Sequence, residues 1–273
     1  MIRLLATDLD GTFIDKNKNI SDTNINAIKK AKENGVTTAI CTGRTMSEIR
    51  LIPQFEKVSP HIDYIIYENG ASCRDNRSDE ILFSHSLENH EIEYIYNSLD
   101  KFDKMFEVYT GGNVHCNEEM MLGDEYKKYI SPDFHELVED TRVKVKNVVE
   151  FSKDKSVQMV LVSFLSHEKS VKAYEILQKM DNYITFAGKK GLQVHNLQAD
   201  KGKGILNLSK KLNIDKSGVM AIGDSHNDLP MREATDKLVA MDNATSSLKE
   251  IADYITKSND EDGVAHAIEK FCL

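Results

Sequence analysis

Short apolar runs alternate with segments of helical period at both ends of the chain. "RLLATD", "GVTTAICT" and "DYIIYENGA" have the pattern of strands near the N-terminus, and "GVMAIGD" and "KLVAM" have it near the C-terminus. Helical periodicity follows Ser21, a suitable N-cap, and recurs over residues 201–212 and 263–271. Such alternation is typical of β-α-β units around a parallel sheet. We therefore predict an α/β fold with a doubly wound, mostly parallel, Rossmann-like core sheet.

The pattern changes character in the middle of the chain. Helical segments over residues 88–99 and 167–180 are interspersed with the predicted strands "NVVEF" and "VQMVLVSF". We assign residues 84–187 to an inserted α+β domain and residues 1–83 and 188–273 to the core. The run "GLQVHNL" then resumes the strands of the core. Earlier in the chain, Thr45 and Glu48 have the spacing of a capping box that opens a helix.

Composition narrows the class of protein. The 273 residues are 40% hydrophobic, which is enough for the sizeable core of a globular protein. Asp and Glu outnumber Lys and Arg by 44 to 35, and the net charge of −9 argues against a nucleic-acid-binding surface. A net-negative protein can still bind phosphate, provided that a metal, a lysine or backbone N–H groups supply local positive charge.

The spacing of the cysteines and the hydropathy pattern indicate where in the cell the protein is located. Cys41, Cys73, Cys116 and Cys272 form no C-x-x-C pair, so neither a zinc site nor a disulfide framework is indicated. The N-terminus has no leader pattern, and no apolar run approaches the length of a membrane span. We predict a soluble cytoplasmic protein without a membrane partner, and nothing in the sequence indicates a protein partner.

Two carboxylates follow the first apolar run in "LLATDLDGTFID". Asp8 and Asp10 at i and i+2 of a strand would point the same way, at the carboxyl end where open parallel sheets bind ligands. Two neighbouring carboxylates at the end of a hydrophobic strand repel each other unless a cation lies between them. Gly11 would let the chain turn and approach a ligand closely.

Phosphate-binding groups follow the second strand. "CTGR" offers the hydroxyl of Thr42 and the backbone N–H groups of Gly43 and Arg44, next to the N-terminus of a helix. Lys201 in "ADKGKG" supplies a mobile positive charge for phosphate oxygens.

A further acidic group ends the later strand "VMAIGD". Asp224 is the additional oxygen ligand that an octahedral Mg²⁺ would need, and Asn227 and Asp228 follow it at the start of another helix. Each of these stretches is weak evidence alone, but together they place chemistry-bearing residues at four positions of one sheet.

The order "DLDGT", "TGR", "DKGKG" and "GDSHNDLPM" resembles the haloacid dehalogenase-like superfamily, and more narrowly its Cof-type phosphatases with a type IIB α/β cap. "YENGA", "VAMDNAT" and "DEDGVAHAIEKF" also match the Cof pattern, so the resemblance covers essentially the whole chain. One departure is Asp242, where the family usually has Gly.

The resemblance implies a Mg²⁺-dependent phosphatase for a small phosphorylated metabolite such as a sugar phosphate. Asp8 would be the nucleophile that forms an aspartyl-phosphate, and Asp10 the general acid and base. Mg²⁺ would be held by Asp8, the main-chain carbonyl of Asp10, and Asp224. The resemblance implies that the phosphoryl group is bound by Thr42, Gly43, Arg44, Lys201 and Asn227. Asp228 would support Lys201 or the metal from the next layer of residues, without binding the phosphoryl group. It also implies that the cap closes over the crevice and selects the leaving group.

Three alternatives remain open on the residues. A phosphomutase would use the same aspartyl-phosphate, although the superfamily links that activity with a smaller, helical cap. A phospho-receiver module also combines clustered acids, Thr and Lys, and a catalytically silent binding protein is the third alternative. We interpret Cys41 and His195 as strand residues and leave the role of His226 open, as a helix cap or a substrate contact.

Overall fold

The computed structural model describes all 273 residues, which form fourteen strands and eleven α-helices. The strands are β1 (Leu4–Thr7), β2 (Thr37–Cys41), β3 (Tyr64–Tyr67), β4 (Ser72–Asp75), β5 (Ile81–Ser84), β6 (Lys104–Thr110), β7 (Asn113–Asn117), β8 (Arg142–Val145), β9 (Val157–Phe164), β10 (Tyr183–Ala187), β11 (Gly191–His195), β12 (Val219–Gly223), β13 (Lys237–Ala240) and β14 (Tyr254–Ile255). The helices are α1 (Asp22–Glu33), α2 (Met46–Ile49), α3 (Phe55–Val58), α4 (Asn89–Ser98), α5 (His135–Thr141), α6 (Val148–Ser152), α7 (His167–Leu177), α8 (Lys201–Lys211), α9 (Met231–Ala234), α10 (Ser246–Ile251) and α11 (Gly263–Phe271).

The first sheet has eight strands in the order β14-β13-β12-β1-β2-β3-β4-β5. Every pair from β14 to β3 is parallel, and β4 and β5 extend the sheet as antiparallel hairpin strands. β1 and β12 are buried along their whole length, as expected for strands covered on both faces. The predicted α/β class with a doubly wound, mostly parallel core sheet is confirmed.

The second sheet has six strands in the order β10-β11-β9-β6-β7-β8. Its pairs are antiparallel except for β7 and β8, which run parallel. The run "GLQVHNL", predicted as a core strand, contributes β11 to this sheet instead. The alternation of apolar and polar residues in this run correctly predicts a strand, but it does not show which strands are its partners. β11 pairs with β9 and β10 through backbone hydrogen bonds.

The stretch "NVVEF" was wrongly predicted as a strand. It forms α6, because the side chain of Asn147 accepts hydrogen bonds from the N–H groups of Val149 and Glu150 and so caps a helix. Val148 is buried in the hydrophobic cluster of the second sheet. A cap and one buried face therefore outweigh the strand preference of the two valines.

The chain divides into two compact units. The core unit comprises Met1–Arg44, Ile49–Ser84 and Ala199–Leu273, and the second unit comprises Thr45–Glu48 and His85–Gln198. The core unit contains the eight-stranded sheet, and the second unit contains the six-stranded one. Apart from Thr45–Glu48, the second unit runs from His85 to Gln198, whereas the sequence pattern assigns residues 84–187 to the inserted domain. The unit ends near residue 198 rather than 187, since β11 belongs to it.

Several predicted helix boundaries are reproduced. Ser21 caps α1 by accepting a hydrogen bond from the N–H of Asn24, and α8 and α11 lie where periodicity placed them. The helix predicted around residues 227–234 is instead a 3-10 turn, His226–Asp228, followed by the short helix α9 after Pro230. None of the helices combines the length and the hydropathy that a membrane-spanning helix requires.

Candidate active site

The predicted site residues of the core unit follow three neighbouring strands. Asp8 follows β1, Thr42 follows β2, and Asp224 follows β12, with β1 between the other two in the sheet. The chain leaves β1 toward β2 and later returns on the opposite side to form β12. Such a reversal of strand order leaves a crevice at the carboxyl ends of the strands, where open α/β sheets bind ligands.

A buried lysine lies between two carboxylates in this crevice. The Nζ of Lys201 donates to Oδ1 of Asp8 at 2.7 Å and to Oδ1 of Asp228 at 2.6 Å, and its side chain is 1% exposed. The other oxygen of Asp228 accepts from the backbone N–H groups of Asp224 and Ser225, each at 2.9 Å. Asp228 thus has donors on both oxygens, and one of these donors is the ammonium of Lys201.

Three carboxylates converge at this point. One oxygen each of Asp8, Asp224 and Asp228 lies within 4.8 Å of the others, and Oδ1 of Asp224 also accepts from the hydroxyl of Thr12 at 3.0 Å. Burial raises the pKa of Asp8 well above its ordinary value, against the opposing charge of Lys201. Burial and the Asp228 carboxylate raise the pKa of Asp224 to about 6.

Lys201 is protonated despite its burial. Burial alone would lower its pKa, but the carboxylates of Asp228 and Asp8 raise it above the ordinary value. One ammonium therefore faces three carboxylates, and the cluster is short of positive charge. A hard divalent cation with oxygen ligands fits this donor set, and Asp8 and Asp224 are the carboxylates with acceptor capacity left to hold it.

Asp10 lies apart from this cluster and pairs with Arg44. β1 ends at Thr7, so the two aspartates are not strand residues, and the alternation predicted for them does not set their directions. Nε and Nη2 of Arg44 donate to the two carboxylate oxygens of Asp10 at 2.8 and 2.7 Å. Partial burial raises the pKa of Asp10, but these hydrogen bonds and the charge of Arg44 outweigh it and lower the pKa.

This pairing adds to the role predicted for Arg44. The sequence indicated a phosphate-binding group at Arg44, whereas the guanidinium here binds a neighbouring carboxylate. No spacing rule pairs residues 10 and 44, since the contact depends on the adjacency of β1 and β2.

The segment after β2 is joined to Asn227 through Asn69, a residue that sequence reasoning treated only as part of a turn. The backbone N–H of Asn69 donates to the carbonyl of Thr42 at 2.9 Å, and its Oδ1 accepts from Nδ2 of Asn227 at 3.0 Å. A Cβ at Gly43 would lie 2.9 Å from the same Oδ1. Asn69 has φ of 53°, a left-handed conformation that Asn tolerates better than most residues, and this was the available signal.

The loop after Asp10 also contacts residues on the β12 side of β1, across from β2. Gly11 has φ of +75°, and a Cβ there would lie 2.5 Å from Oδ2 of Asp224, so only glycine lets the loop approach that carboxylate. Nδ2 of Asn243 donates to the carbonyl of Gly11 at 2.7 Å. Asn243 belongs to the "VAMDNAT" stretch and was not singled out in the sequence.

Cys41 and His195, which we interpret as strand residues, lie in strands, whereas His226, whose role the sequence leaves open, lies outside the strands. Cys41 is fully buried at the end of β2, and burial raises the pKa of its thiol well above the ordinary value, which opposes a nucleophilic role. His195 is buried in β11, and burial lowers its pKa to about 3. His226 is exposed, and its Nδ1 lies 3.3 Å from the hydroxyl of Ser247.

The chain is similar to known proteins along nearly its whole length. The family model of haloacid dehalogenase-like hydrolases matches residues 5–268. The chain is 30% identical to a 5-amino-6-(5-phospho-D-ribitylamino)uracil phosphatase of Bacillus subtilis, over 100% of this chain and 96% of that protein. It is 29% identical to a putative phosphatase of Streptococcus pyogenes, over 100% and 99% of the two chains.

A solved structure resembles this protein over nearly its whole length. A haloacid dehalogenase-like hydrolase from B. subtilis superposes with a TM-score of 0.85 at 26% identity, covering 99% of this chain and 100% of that one. The chain belongs to the haloacid dehalogenase-like hydrolases, among the Cof-type phosphatases, and is therefore a phosphoric monoester hydrolase.

Proposed function

We propose that this protein is a Mg²⁺-dependent phosphatase that hydrolyses small phosphate monoesters through an aspartyl-phosphate on Asp8. The observation that carries the proposal is the convergence of Asp8, Asp224 and Asp228 within 4.8 Å around a buried Lys201. Phosphoryl transfer demands positioning and charge stabilisation, and this cluster offers a nucleophile, cation ligands and a fixed positive charge together.

Asp8 would attack phosphorus in the first step. One of its carboxylate oxygens forms a bond to phosphorus while the bond to the ester oxygen breaks, and the leaving oxygen takes a proton from Asp10. In the second step Asp10 takes a proton from water, which attacks phosphorus and releases inorganic phosphate from Asp8. The contact of Asp8 with Lys201 supports this role because it holds the carboxylate in one orientation.

The bidentate contact of Arg44 with Asp10 favours the second step. An ionised Asp10 is the form that can accept a proton from water, and Arg44 stabilises that form. The first step requires protonated Asp10, so we expect Arg44 to release the carboxylate when the phosphate ester binds.

The remaining groups would hold the transferring phosphoryl group. We assign this role to the hydroxyl of Thr42, the N–H of Gly43, the ammonium of Lys201 and the amide of Asn227. When bound by Asp8, the Asp10 carbonyl and Asp224, Mg²⁺ would neutralise negative charge on the phosphoryl oxygens. The link through Asn69 supports a shared site for Gly43 and Asn227, since one side chain touches both positions.

The substrate we propose is a small phosphorylated metabolite, such as a sugar phosphate. The relative named as a 5-amino-6-(5-phospho-D-ribitylamino)uracil phosphatase supports a phosphorylated polyol or sugar-like group. We propose that the second unit is the cap that selects the leaving group. Its six-stranded sheet and its helices favour a phosphatase over a mutase, which the superfamily links with a smaller helical cap. A cytoplasmic location stays a prediction.

The test is phosphate release from a panel of small phosphate monoesters, with Mg²⁺ and with EDTA. Wild type is compared with Asp8→Asn and Asp10→Asn, and with Asp22→Asn as a control, since the Asp22 side chain is 82% exposed. We expect Mg²⁺-dependent release in wild type and control, and a loss of at least about a thousandfold in both site variants.

Three results would contradict the proposal. Full activity of Asp8→Asn would show that Asp8 is not the nucleophile. A wild type that hydrolyses no ester but becomes stably phosphorylated would favour a receiver module, and transfer of the phosphoryl group to a second hydroxyl would favour a mutase.

A further inference from the structure

A buried arginine at the start of β8 binds two carboxylates. Nη1 of Arg142 donates to Oε1 of Glu48 at 2.6 Å, and Nε donates to Oε1 of Glu107 at 2.7 Å. The Arg142 and Glu48 side chains are each 5% exposed, and Glu107 is fully buried. All three residues belong to the second unit. Buried ion networks of this kind are costly to desolvate, and apolar residues of similar volume often give equal or greater stability.

The second carboxylate oxygen of Glu48 binds the main chain. Oε2 of Glu48 accepts a hydrogen bond from the N–H of Thr45 at 2.9 Å, and the N–H of Glu48 donates to the hydroxyl of Thr45 at 3.4 Å. The N–H of Ser47 also donates to the carbonyl of Gly112 at 3.0 Å. Arg142, Glu48 and Thr45 therefore form a continuous chain of hydrogen bonds that ends on the main chain.

Thr45 is covalently attached to the phosphate-binding segment. The preceding residue, Arg44, donates its N–H to the hydroxyl of Thr42 at 3.2 Å and its guanidinium to Asp10. Any rotation of the Thr45 peptide changes the direction in which Arg44 projects. Arg142 is thus connected to Arg44 through only the carboxylate of Glu48 and the peptide group of Thr45.

We propose that Arg142 is a positioning residue for catalysis: by holding Glu48 it fixes the backbone at Thr45, and with it the position from which Arg44 binds and releases the carboxylate of Asp10. The inference rests on the proposed function, since it assigns Arg142 a role in the same reaction. It goes beyond that function by placing a determinant of the reaction rate in β8, nearly a hundred positions along the chain from the "TGR" motif.

Glu48 and Glu107 provide a matched pair of variants. Glu48 accepts hydrogen bonds on both oxygens, whereas Oε2 of Glu107 has no hydrogen-bond partner. Glu48→Gln has one amide oxygen and must give up either Arg142 or the Thr45 N–H. Glu107→Gln can keep its one bond to Arg142 through its amide oxygen. Both changes remove one negative charge beside Arg142, but only the first breaks the connection to Thr45.

The experiment measures kcat and KM for p-nitrophenyl phosphate at saturating Mg²⁺, together with the thermal midpoint of each variant. We expect Glu48→Gln to lower kcat by about tenfold or more, because misaligned catalytic groups lose rate steeply. Glu107→Gln should keep the wild-type kcat even where its midpoint falls. The variant Arg142→Gln should lower kcat as Glu48→Gln does, and combining the two should cost little more than either alone, since both act through one contact.

Two kinetic results would overturn the inference. If Glu48→Gln and Glu107→Gln lose kcat in equal measure, the network acts on general stability and not on positioning. If neither loses kcat, the network has no role in the reaction.

A second measurement separates this inference from the proposed function. Hydrogen exchange of a peptide covering residues 42–48 needs no activity, and we expect faster exchange there in Glu48→Gln but not in Glu107→Gln. If the wild type hydrolyses no ester, the proposed function fails and this exchange result alone decides whether Arg142 holds the segment. Unchanged exchange in Glu48→Gln would overturn the inference.

Discussion

Two different cations bind the two aspartates of the "DLD" motif, Lys201 at Asp8 and Arg44 at Asp10. Lys201 holds Asp8 and Asp228, both of them buried, while Arg44 holds Asp10, whose side chain is 42% exposed. The two aspartates of the "DLD" motif therefore sit in different environments. The pKa of Asp8 is raised by burial and that of Asp10 is lowered by Arg44. Separation of this kind is how one site assigns different tasks to chemically identical groups.

The metal-free protein should be destabilised by Asp224 at neutral pH. The folded-state pKa of about 6 lies above the ordinary value of 3.8, so the folded protein binds more protons between these values. Stability therefore falls as the pH rises from about 4 to 6, and the full penalty remains above pH 6. In EDTA, Asp224→Asn should raise the free energy of unfolding at pH 7.5 by on the order of 1 kcal/mol, allowing for partial exposure.

Urea denaturation in EDTA at pH 4.5 and pH 7.5 measures this difference. The gain from Asp224→Asn should shrink at the lower pH, where the wild-type carboxyl is already protonated in the folded state. Asn can still accept the hydrogen bond of Thr12, so no contact need be lost. An Asp224→Asn variant that is less stable than wild type at both pH values would show that the carboxylate is not under electrostatic strain.

At the scale of elements, the turn after β3 determines where α8 begins. The 3-10 segment Glu68–Gly70 packs against α8, whose first residue is Lys201. Gly70 has φ of +91°, and a Cβ there would lie 2.1 Å from the backbone carbonyl oxygen of Asp200, the N-cap of α8. The conformation of one glycine thus controls the position of Lys201.

Gly70→Ala should displace the start of α8. We expect a loss of about 2–4 kcal/mol of unfolding free energy from the clash and the backbone strain together. The kcat should fall as well, because Lys201 moves with the helix. Gly35→Ala is the matched control in the same unit, since Gly35 has φ of +82° but its Cβ would meet nothing within 4 Å.

Urea denaturation and phosphate release measure both effects. Gly35→Ala should cost about 1 kcal/mol from backbone strain alone and leave kcat unchanged. If the two variants lose stability equally, the close approach of Gly70 to Asp200 is not what constrains the helix.

At the scale of the whole molecule, the acidic crevice lies within one of the two units. Every residue of the carboxylate cluster belongs to the core unit, and the second unit has separate hydrophobic clusters of its own. A cation that binds the folded cluster but not the unfolded chain stabilises the folded state by mass action, by about 2.7 kcal/mol at a hundred times its dissociation constant.

Mg²⁺ should therefore change hydrogen exchange unevenly along the chain. We expect slower exchange in peptides that cover the ends of β1 and β12 when Mg²⁺ is added, and no change in peptides from β6 and β9 of the second sheet. The slowing should be absent in Asp224→Asn. Equal protection of both units, or protection that persists in Asp224→Asn, would place the cation elsewhere.

Much of the fold was predictable because it depends on local patterns. Apolar runs, caps and periodicity located β1, β2, β12, α1, α8 and α11, and the motif residues Asp8, Lys201 and Asp224 were identified by the strand or helix ends at which they stand. The misassigned "NVVEF" had an N-cap in Asn147 that strand-forming valines obscured. The misassigned β11 had the right alternation but no signal for its partner strands.

The class of fold and the residues of the acidic crevice could be predicted from the order of amino acids alone, because hydrophobic period and motif order are properties of neighbouring positions. Which charged groups pair depends on the folded chain. Arg44 with Asp10, Asn69 with Asn227 and Arg142 with Glu48 are contacts between side chains that lie 34, 158 and 94 positions apart. Such contacts depend on strand order and on where each loop passes, and neither is encoded in any local window of the chain.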